Sequence, residues 1–460
     1  MSYLSLTDAD RDEMLATIGV SSVEELFRDI PAGVRFEGSL DLEPALSEQE
    51  LVAHLGGLAS RNVHTGAELS FLGAGVYDHY VPAVVNTILS RGEFLTAYTP
   101  YQPEMSQGVL QAIYEYQTAV CELTGMDVSN ASGYDGTTVA ADACYLAKHA
   151  TGRSKIVITE ATNPQVRQVV KTYAPGFGLE VVEVPHADGT TDPAVLAAAA
   201  EDAAAVIFQQ PNFFGCLEAA PELAAAANDA GALPVAHVDL VSLGVLEAPG
   251  NYGCALAIGE GQSAGNSQSY GGPHYGFVAC RADYIRRMPG RIVGETTDAN
   301  GRRGFVLTLA TREQHIRREK ATSNITTNQT LLALGGLVHL AWLGPQGLRD
   351  LGETCMALGE YAKDRLVAAG AELAFPGKAT FKEFAVRVGR SGRDVVKAAR
   401  ERGVHPGYAL GRDYEGLDEM LLVAVTEMRT PADIDRVKRN AKLGPAKTVD
   451  VGGRRLEHDD

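Results

Sequence analysis

The sequence predicts an α/β protein with a mostly parallel central sheet, followed by a smaller C-terminal α+β domain. Short apolar, β-branched runs recur at Lys155–Thr159, Leu179–Val184, Ala205–Gln209, Leu233–Asp239, Ala255–Ile258 and Gly276–Cys280. Helical stretches separate them, the alternation that builds a parallel sheet buried on both faces. The alanine-rich segments Pro193–Ala200 and Pro221–Ala227 read as crossover helices whose small side chains let helix and sheet approach. Size agrees: 460 residues, 45% hydrophobic and 21% charged, suffice for large cores, in two or three domains at about 150 residues each.

Taken in order, residues 1–70 read as a helical segment, because Ser22-x-x-Glu25 and Ser47-x-x-Glu50 are capping boxes in which hydroxyl and carboxylate each satisfy a free first-turn N–H. Leu51, Leu55 and Leu58 then form an apolar helical face. A large α/β domain follows over 71–325, headed by a Gly- and Tyr-rich stretch, Phe71 to Gly108, that reads as a long structured loop. After an irregular stretch from Met288 to Thr327, a helix at Asn328–Leu343 opens a small domain over 326–445. It continues with a helix at Leu348–Ala369, strands near Glu372–Ala374 and Phe384–Val388, a helix at Arg393–Gly403, a strand at Met420–Val425 and a helix at Pro431–Ala441. Residues 446–460 read as a frayed tail.

The net charge of −18 repels nucleic acid and anionic lipid, so neither is expected as a partner. Cys121, Cys144, Cys216, Cys254, Cys280 and Cys355 are scattered, with no C-x-x-C pair and no zinc-ligand spacing. A reducing cytoplasm and no metal site are therefore expected. Asp8, Asp10, Asp12 and Glu13 stand where a signal peptide needs basic and apolar runs, and the longest apolar run, Leu331 to Leu343, is interrupted by His339. It falls short of the ~20 residues of a spanning helix.

One arrangement compatible with this pattern is the aspartate-aminotransferase-like fold, pyridoxal-phosphate fold type I. Its chemistry needs a strand-end aspartate for the pyridine nitrogen, a lysine for the Schiff base and a helix N-terminus for the phosphate. Asp239 suits the first role. No lysine occurs from Ala236 to Tyr284, and the loop Gly259–His274 offers only Gln262, Asn266 and Gln268, none of which forms an imine. Gly133-Tyr134-Asp135-Gly136-Thr137-Thr138 precedes a helix, yet Asp135 would repel a phosphate there. His237, inside a strand, reads as a core histidine, and His274 as either core or base. In the segment Tyr98 to Gly108, Pro100 and Pro103 stiffen the backbone so that Tyr98, Tyr101 and Glu104 present phenols and a carboxylate with little entropy left to lose. An ordinary packed loop accounts for that composition equally well. The run Arg312 to Lys320 is either a solvated, internally paired segment or a dock for an acidic group.

Four segments, Phe71-Leu72-Gly73-Ala74-Gly75, Tyr98 through Gly108, Met288 through Gly294 and Arg312 through Asn324, resemble the N-terminal signatures of the pyridoxal-phosphate-dependent glycine dehydrogenase (decarboxylating) family, the P-protein of the glycine cleavage system. The resemblance extends to roughly Leu443. It implies the α subunit of a two-subunit enzyme, in which the partner β subunit holds pyridoxal phosphate and this chain holds no cofactor. In the catalytic half of that family the Schiff-base lysine lies eleven positions before the proline of a Gly-Gly-Pro loop, and here the count from Pro273 lands on Gln262. The implied partners are the β subunit, glycine and lipoylated H-protein, whose lipoyl arm receives the aminomethyl group after decarboxylation. Such a site binds a small carboxylate, excludes water and admits a long arm. On that basis Tyr98, Tyr101 and Gln102 are expected to act in trans on the partner's site, Glu104 to orient them as an interface carboxylate, and Tyr134 to rank below them. The alternative is a non-catalytic scaffold that only stabilises its partner. A stand-alone pyridoxal enzyme lacks its lysine.

Overall fold

The computed structural model describes residues 5–36, 38–98, 100–321, 325, 327–440, 448–451 and 454–457. The chain divides into two units, Met1–Val63 and His64–Asp460.

In the first unit the Ser47–Glu50 capping box forms as predicted and starts the helix Glu48–Ala59. Thr7 and Asp10 make a second box, unanticipated, for the helix Asp8–Ile18. Ser22 caps only a 3-10 turn, Val23–Phe27, because the Glu25 carboxylate accepts from the Ser21 N–H instead of completing the box. The predicted apolar face is present, with Leu51, Leu55 and Leu58 exposed.

The second unit is built on a seven-stranded sheet. Its spatial order is Val128–Ser129, Gly276–Cys280, Leu256–Glu260, Leu233–Val238, Ala203–Gln210, Lys155–Thr159 and Glu180–Val184. The last five are mutually parallel and the first two antiparallel to their neighbours. All six predicted strands are present, with ends within two residues of those expected. The sheet is apolar on both sides. One face packs Val157, Val206, Phe208 and Ala236 against the crossover helices Pro193–Ala200 and Ala220–Asp229. The other packs Ile156, Ile158, Ile207 and Val235 against the helix Gly136–Thr151.

The stretch expected to be irregular contains an antiparallel pair, Ile292–Thr297 with Arg303–Thr308. Its signal was Asn300-Gly301 between β-branched runs, a hairpin turn sequence. Two glutamines of the helix Gln107–Thr124 act as surrogate strand partners for it. Gln107 donates to the Phe305 carbonyl and accepts from its N–H, at 2.8 and 2.9 Å; Gln117 does the same for Val293, both at 2.9 Å.

The two helices predicted at Asn328–Leu343 and Leu348–Ala369 are present as one stretch, Thr330–Val367, broken between them at Gly344, whose φ of 61° leaves the helical region ahead of Pro345. By length and composition it is the one helix among the described residues able to cross a membrane. Its first turns are packed within the chain, where Ala333, Gly335, Gly336 and His339 are buried. The small sheet is antiparallel in the order Glu372–Leu373, Glu383–Arg387, Met420–Ala424, Tyr408–Ala409, flanked by helices Gly392–Arg400 and Pro431–Asn440. The expected frayed tail instead carries an antiparallel pair, Thr448–Val451 with Arg454–Glu457.

The glycine-rich entry to the large domain is sewn onto the small one. Phe71 donates to the His405 carbonyl at 2.8 Å and accepts from the Ala424 N–H at 3.0 Å. A side chain at Gly73 would lie 2.3 Å from Glu383 Oε1 and 2.6 Å from Ala424 Cβ, so only glycine lets this strand lie so close.

Candidate functional site

The strand Leu233–Val238 delivers Asp239 to the C-terminal edge of the sheet, as predicted. One carboxylate oxygen accepts from Ser263 Oγ at 2.5 Å and from the Val241 N–H at 3.0 Å. The other is ion-paired with Lys382, at the end of the small domain's strand Glu383–Arg387. Burial alone would raise the Asp239 pKa, but the Lys382 ammonium and the Ser263 hydroxyl more than offset it and hold the carboxylate below its ordinary range. Lys382 is 2% exposed. Its ammonium also lies 3.5 Å from the Tyr77 ring centroid and 2.9 Å from His79 Nε2. That contact assigns the tautomer: Nε2 accepts, so Nδ1–H donates to Glu427 Oε2 at 2.8 Å. Burial alone would raise the Glu427 pKa, but the bonds from His79 and the Tyr80 N–H more than offset it and lower it. Cys355 Sγ is 3.8 Å from the same carboxylate. His79, Cys355 and Glu427 are the one group of three metal-ligating side chain types gathered among the described residues, yet both ring nitrogens of His79 are already engaged. The group is a hydrogen-bond chain running from Asp239 to Cys355.

Gln262 is completely buried. Its oxygen accepts from the Tyr77 N–H at 2.8 Å, and its nitrogen donates to the Tyr77 and Asn266 carbonyls at 2.9 and 2.8 Å. The amide therefore fastens the segment around Tyr77 over this edge of the sheet. Asn266 in turn donates to the Leu332 carbonyl, while the Gln268 carbonyl bonds His274 Nε2 at 3.1 Å.

The N-terminus of the helix Gly136–Thr151 is filled from within the chain. Asp135 is its N-cap, accepting from the N–H groups of Thr137 and Thr138 at 2.9 and 2.8 Å, and Glu260 accepts from Gly136 at 2.9 Å. Burial pushes Glu260 up to about 7 despite that bond. It does the same to Glu383, also to about 7, which accepts from the Ala74 N–H and the Tyr77 hydroxyl at 2.7 Å each. His237 behaves as the core histidine expected, pushed down to about 4 by burial. The space remaining between these groups is about 100 Å³.

The tyrosine segment is the opposite kind of place. Tyr98 is 91% exposed, and the side chains of Gln102 and Glu104 also face solvent. The Gln102 carbonyl accepts from the Met105 and Ser106 N–H groups at 3.0 Å, closing the turn before the helix Gln107–Thr124. Tyr101 points inward. Its hydroxyl donates to Asn328 Oδ1 at 2.8 Å and its ring lies 4.1 Å from the Arg291 guanidinium carbon. Tyr98 and Tyr101 share a cleft of about 360 Å³ with Arg291 and Asn328. Tyr134 is not brought there; it lines a separate cleft with Tyr145, Glu313 and Arg318. Most of the basic run is the solvated segment expected: Gln314 to Lys320 are exposed, and His315 Nδ1 lies 3.6 Å from Glu313 Oε2 within the run, but its first two residues are tied elsewhere. Arg312 is spent on backbone carbonyls of Met288, Gly290 and Leu309, and Glu313 pairs with Arg291 at 3.1 Å. Lys382, Tyr77, His79 and Glu383 carried no local sequence signal, since each acquires its role from a segment far away in the chain; Arg291 lies in the signature segment Met288–Gly294, but its partners are equally distant.

A family model described as glycine cleavage system P-protein matches residues 1–440. The chain belongs to the P-protein family. A relative from Geobacillus kaustophilus (strain HTA426), named probable glycine dehydrogenase (decarboxylating) subunit 1, is 51% identical over 435 residues, 94% of this chain and 97% of its own. Among solved structures, a glycine decarboxylase (P-protein) of the glycine cleavage system, in inhibitor-bound form, is 41% identical, with a TM-score of 0.88 over 96% of this chain and 99% of that one. Alanine–glyoxylate aminotransferase from Nostoc sp., at 16% identity and a TM-score of 0.58 over 88% of this chain and 97% of its own, shares the fold alone. The P-protein chain thus has the aspartate-aminotransferase-like, fold type I architecture that the sequence predicts.

Proposed function

We propose that this chain is the α subunit of a heteromeric glycine dehydrogenase (decarboxylating), a cytoplasmic enzyme in which pyridoxal phosphate is held by a β subunit. One observation carries the reading: all three places a cofactor would need are taken by the chain's own groups. Lys382 occupies Asp239, the amide of Gln262 is locked onto Tyr77, and two carboxylates hold the helix N-terminus. The residues present do not fit pyridoxal phosphate. The space left, about 100 Å³, is well under the ~300 Å³ at which ordinary small-molecule pockets begin.

Under this reading the chain serves the reaction from its rim. Glycine loses CO2 and its aminomethyl carbon bonds to one sulfur of the H-protein lipoyl disulfide; the S–S bond breaks and the second sulfur leaves as a thiol. Tyr98 and Gln102 supply a phenol and an amide to that chemistry in trans, with Glu104 beside them at the interface and Tyr134 in a subordinate position. Preset donors bind a carboxylate and exclude water without reorganising during the reaction. Tyr101, whose hydroxyl is engaged by Asn328, anchors the segment.

The test is Tyr98→Phe and Gln102→Ala in the reconstituted subunit pair with H-protein. Loss of an oriented donor lowers glycine–bicarbonate exchange about tenfold or more, with subunit affinity unchanged. Unchanged turnover in both variants would favour the scaffold reading.

A further inference from the structure

The signature segment Met288–Gly294 and the start of the signature segment Arg312–Asn324 supply no lining residue to the Asp239 pocket, yet they are joined to each other. Arg291 Nε donates to Glu313 Oε2 at 3.1 Å, with only 15% and 9% of the two side chains exposed. The face of the same guanidinium carries the Tyr101 ring, 4.1 Å away. A buried ion pair is retained where it fixes geometry rather than where it adds stability, and an arginine under an aromatic ring is held in both its plane and its direction. The backbone beneath it is fixed as well, since the Arg291 carbonyl accepts from the Ala131 N–H at 2.8 Å. On the far side, Asn328 Oδ1 accepts from both the Tyr101 hydroxyl and Thr330 Oγ1, at 2.8 and 2.7 Å. Tyr101 is therefore clamped between a guanidinium below and an amide at its tip.

We infer that Arg291 and Glu313 are positioning residues that set the Tyr98–Ser106 segment in its presenting conformation, acting through the Tyr101 ring. The inference rests on the reading that this segment serves the partner's site. It gives the basic run a role: Arg312 pins it to the Met288–Gly290 carbonyls, which puts Glu313 in reach of Arg291.

Two readouts separate this inference from the reading beneath it. In the isolated chain, the Met105 and Ser106 amides are held by the Gln102 carbonyl, so their hydrogen exchange reports the set of the segment. Arg291→Met and the isosteric Glu313→Gln speed that exchange about tenfold or more, whereas Arg291→Lys, which keeps the charge for Glu313 but loses the planar stack, falls between. In the reconstituted enzyme the same variants lower kcat about tenfold or more, as displaced groups do, and leave subunit affinity unchanged. Unchanged amide exchange in Glu313→Gln, with the fold intact by circular dichroism, would overturn the inference. Faster exchange with unchanged kcat would uphold the positioning role and overturn the reading that the segment serves the partner's site.

Discussion

The Asp239 pocket and the Tyr98–Ser106 segment use similar polar side chains to opposite ends. In the pocket, Asp239, Lys382, His79, Glu427 and Gln262 are each turned toward another group of the same chain. In the segment, the Tyr101 hydroxyl is bound inward by Asn328, and Tyr98, Gln102 and Glu104 are offered to solvent. Polar groups satisfied inside a low-dielectric interior hold domains together; the same groups held rigid at a surface are available for binding. Under the proposed function, the fold keeps its architecture while the working residues lie on a rim and not at the sheet edge.

The largest effect expected comes from breaking the pocket's ion pair. Lys382→Met leaves Asp239, whose side chain is only 15% exposed, without its counter-ion, a loss of about 3–5 kcal/mol in urea unfolding, while the double variant with Asp239→Asn recovers most of it. A loss below about 1 kcal/mol would place the pair with solvated ones and erase the contrast with the segment. Gln262→Lys breaks three buried hydrogen bonds and costs about 1–3 kcal/mol. With Lys382 and Glu260 still in place, it yields no borohydride-reducible link to added pyridoxal phosphate; a stoichiometric link would show that one residue separates this chain from a cofactor-binding one.

The pH dependence sharpens the comparison because the pocket holds two carboxyls pushed up to about 7 by burial, Glu260 and Glu383; Asp142, in the cleft beside Tyr134, is moved likewise. The folded state keeps protons that the unfolded chain releases near 4.5. Their contribution is full below that pH, falls as pH rises toward 7 and is flat above. Melting temperature followed from pH 4.5 to 8 should show this decline, shallower in Glu260→Gln. An unchanged slope would mean that Glu260 does not hold its proton. The smallest effect belongs to the N-terminal unit: Ser47→Ala removes the capping box and costs the helix Glu48–Ala59 about 1 kcal/mol, read as faster amide exchange in that helix with none in the pocket.

The sheet was legible because its strands are continuous apolar runs whose period and punctuation are local. The Asn300-Gly301 hairpin was missed for want of weight on a two-residue turn signal, and its registry comes from Gln107 and Gln117, far away in the chain. That Gln262 stands where the resemblance implies a lysine could be read by counting; the pairing of Asp239 with Lys382 could not, since that residue arrives from far along the chain. Tyr98 and Tyr101 look alike in sequence. Their division into presented and anchored groups depends on Arg291 and Asn328, and that is a tertiary fact.

The account's central claim is tested most directly by one mixing experiment. Cofactor absorbance and glycine–bicarbonate exchange are measured for this chain alone, for its candidate β subunit alone, and for the two together with H-protein. The account predicts no cofactor signal and no exchange from this chain, with full exchange only on mixing. A borohydride-reducible cofactor bound to this chain alone would contradict it, and Lys382 would be the residue to find modified.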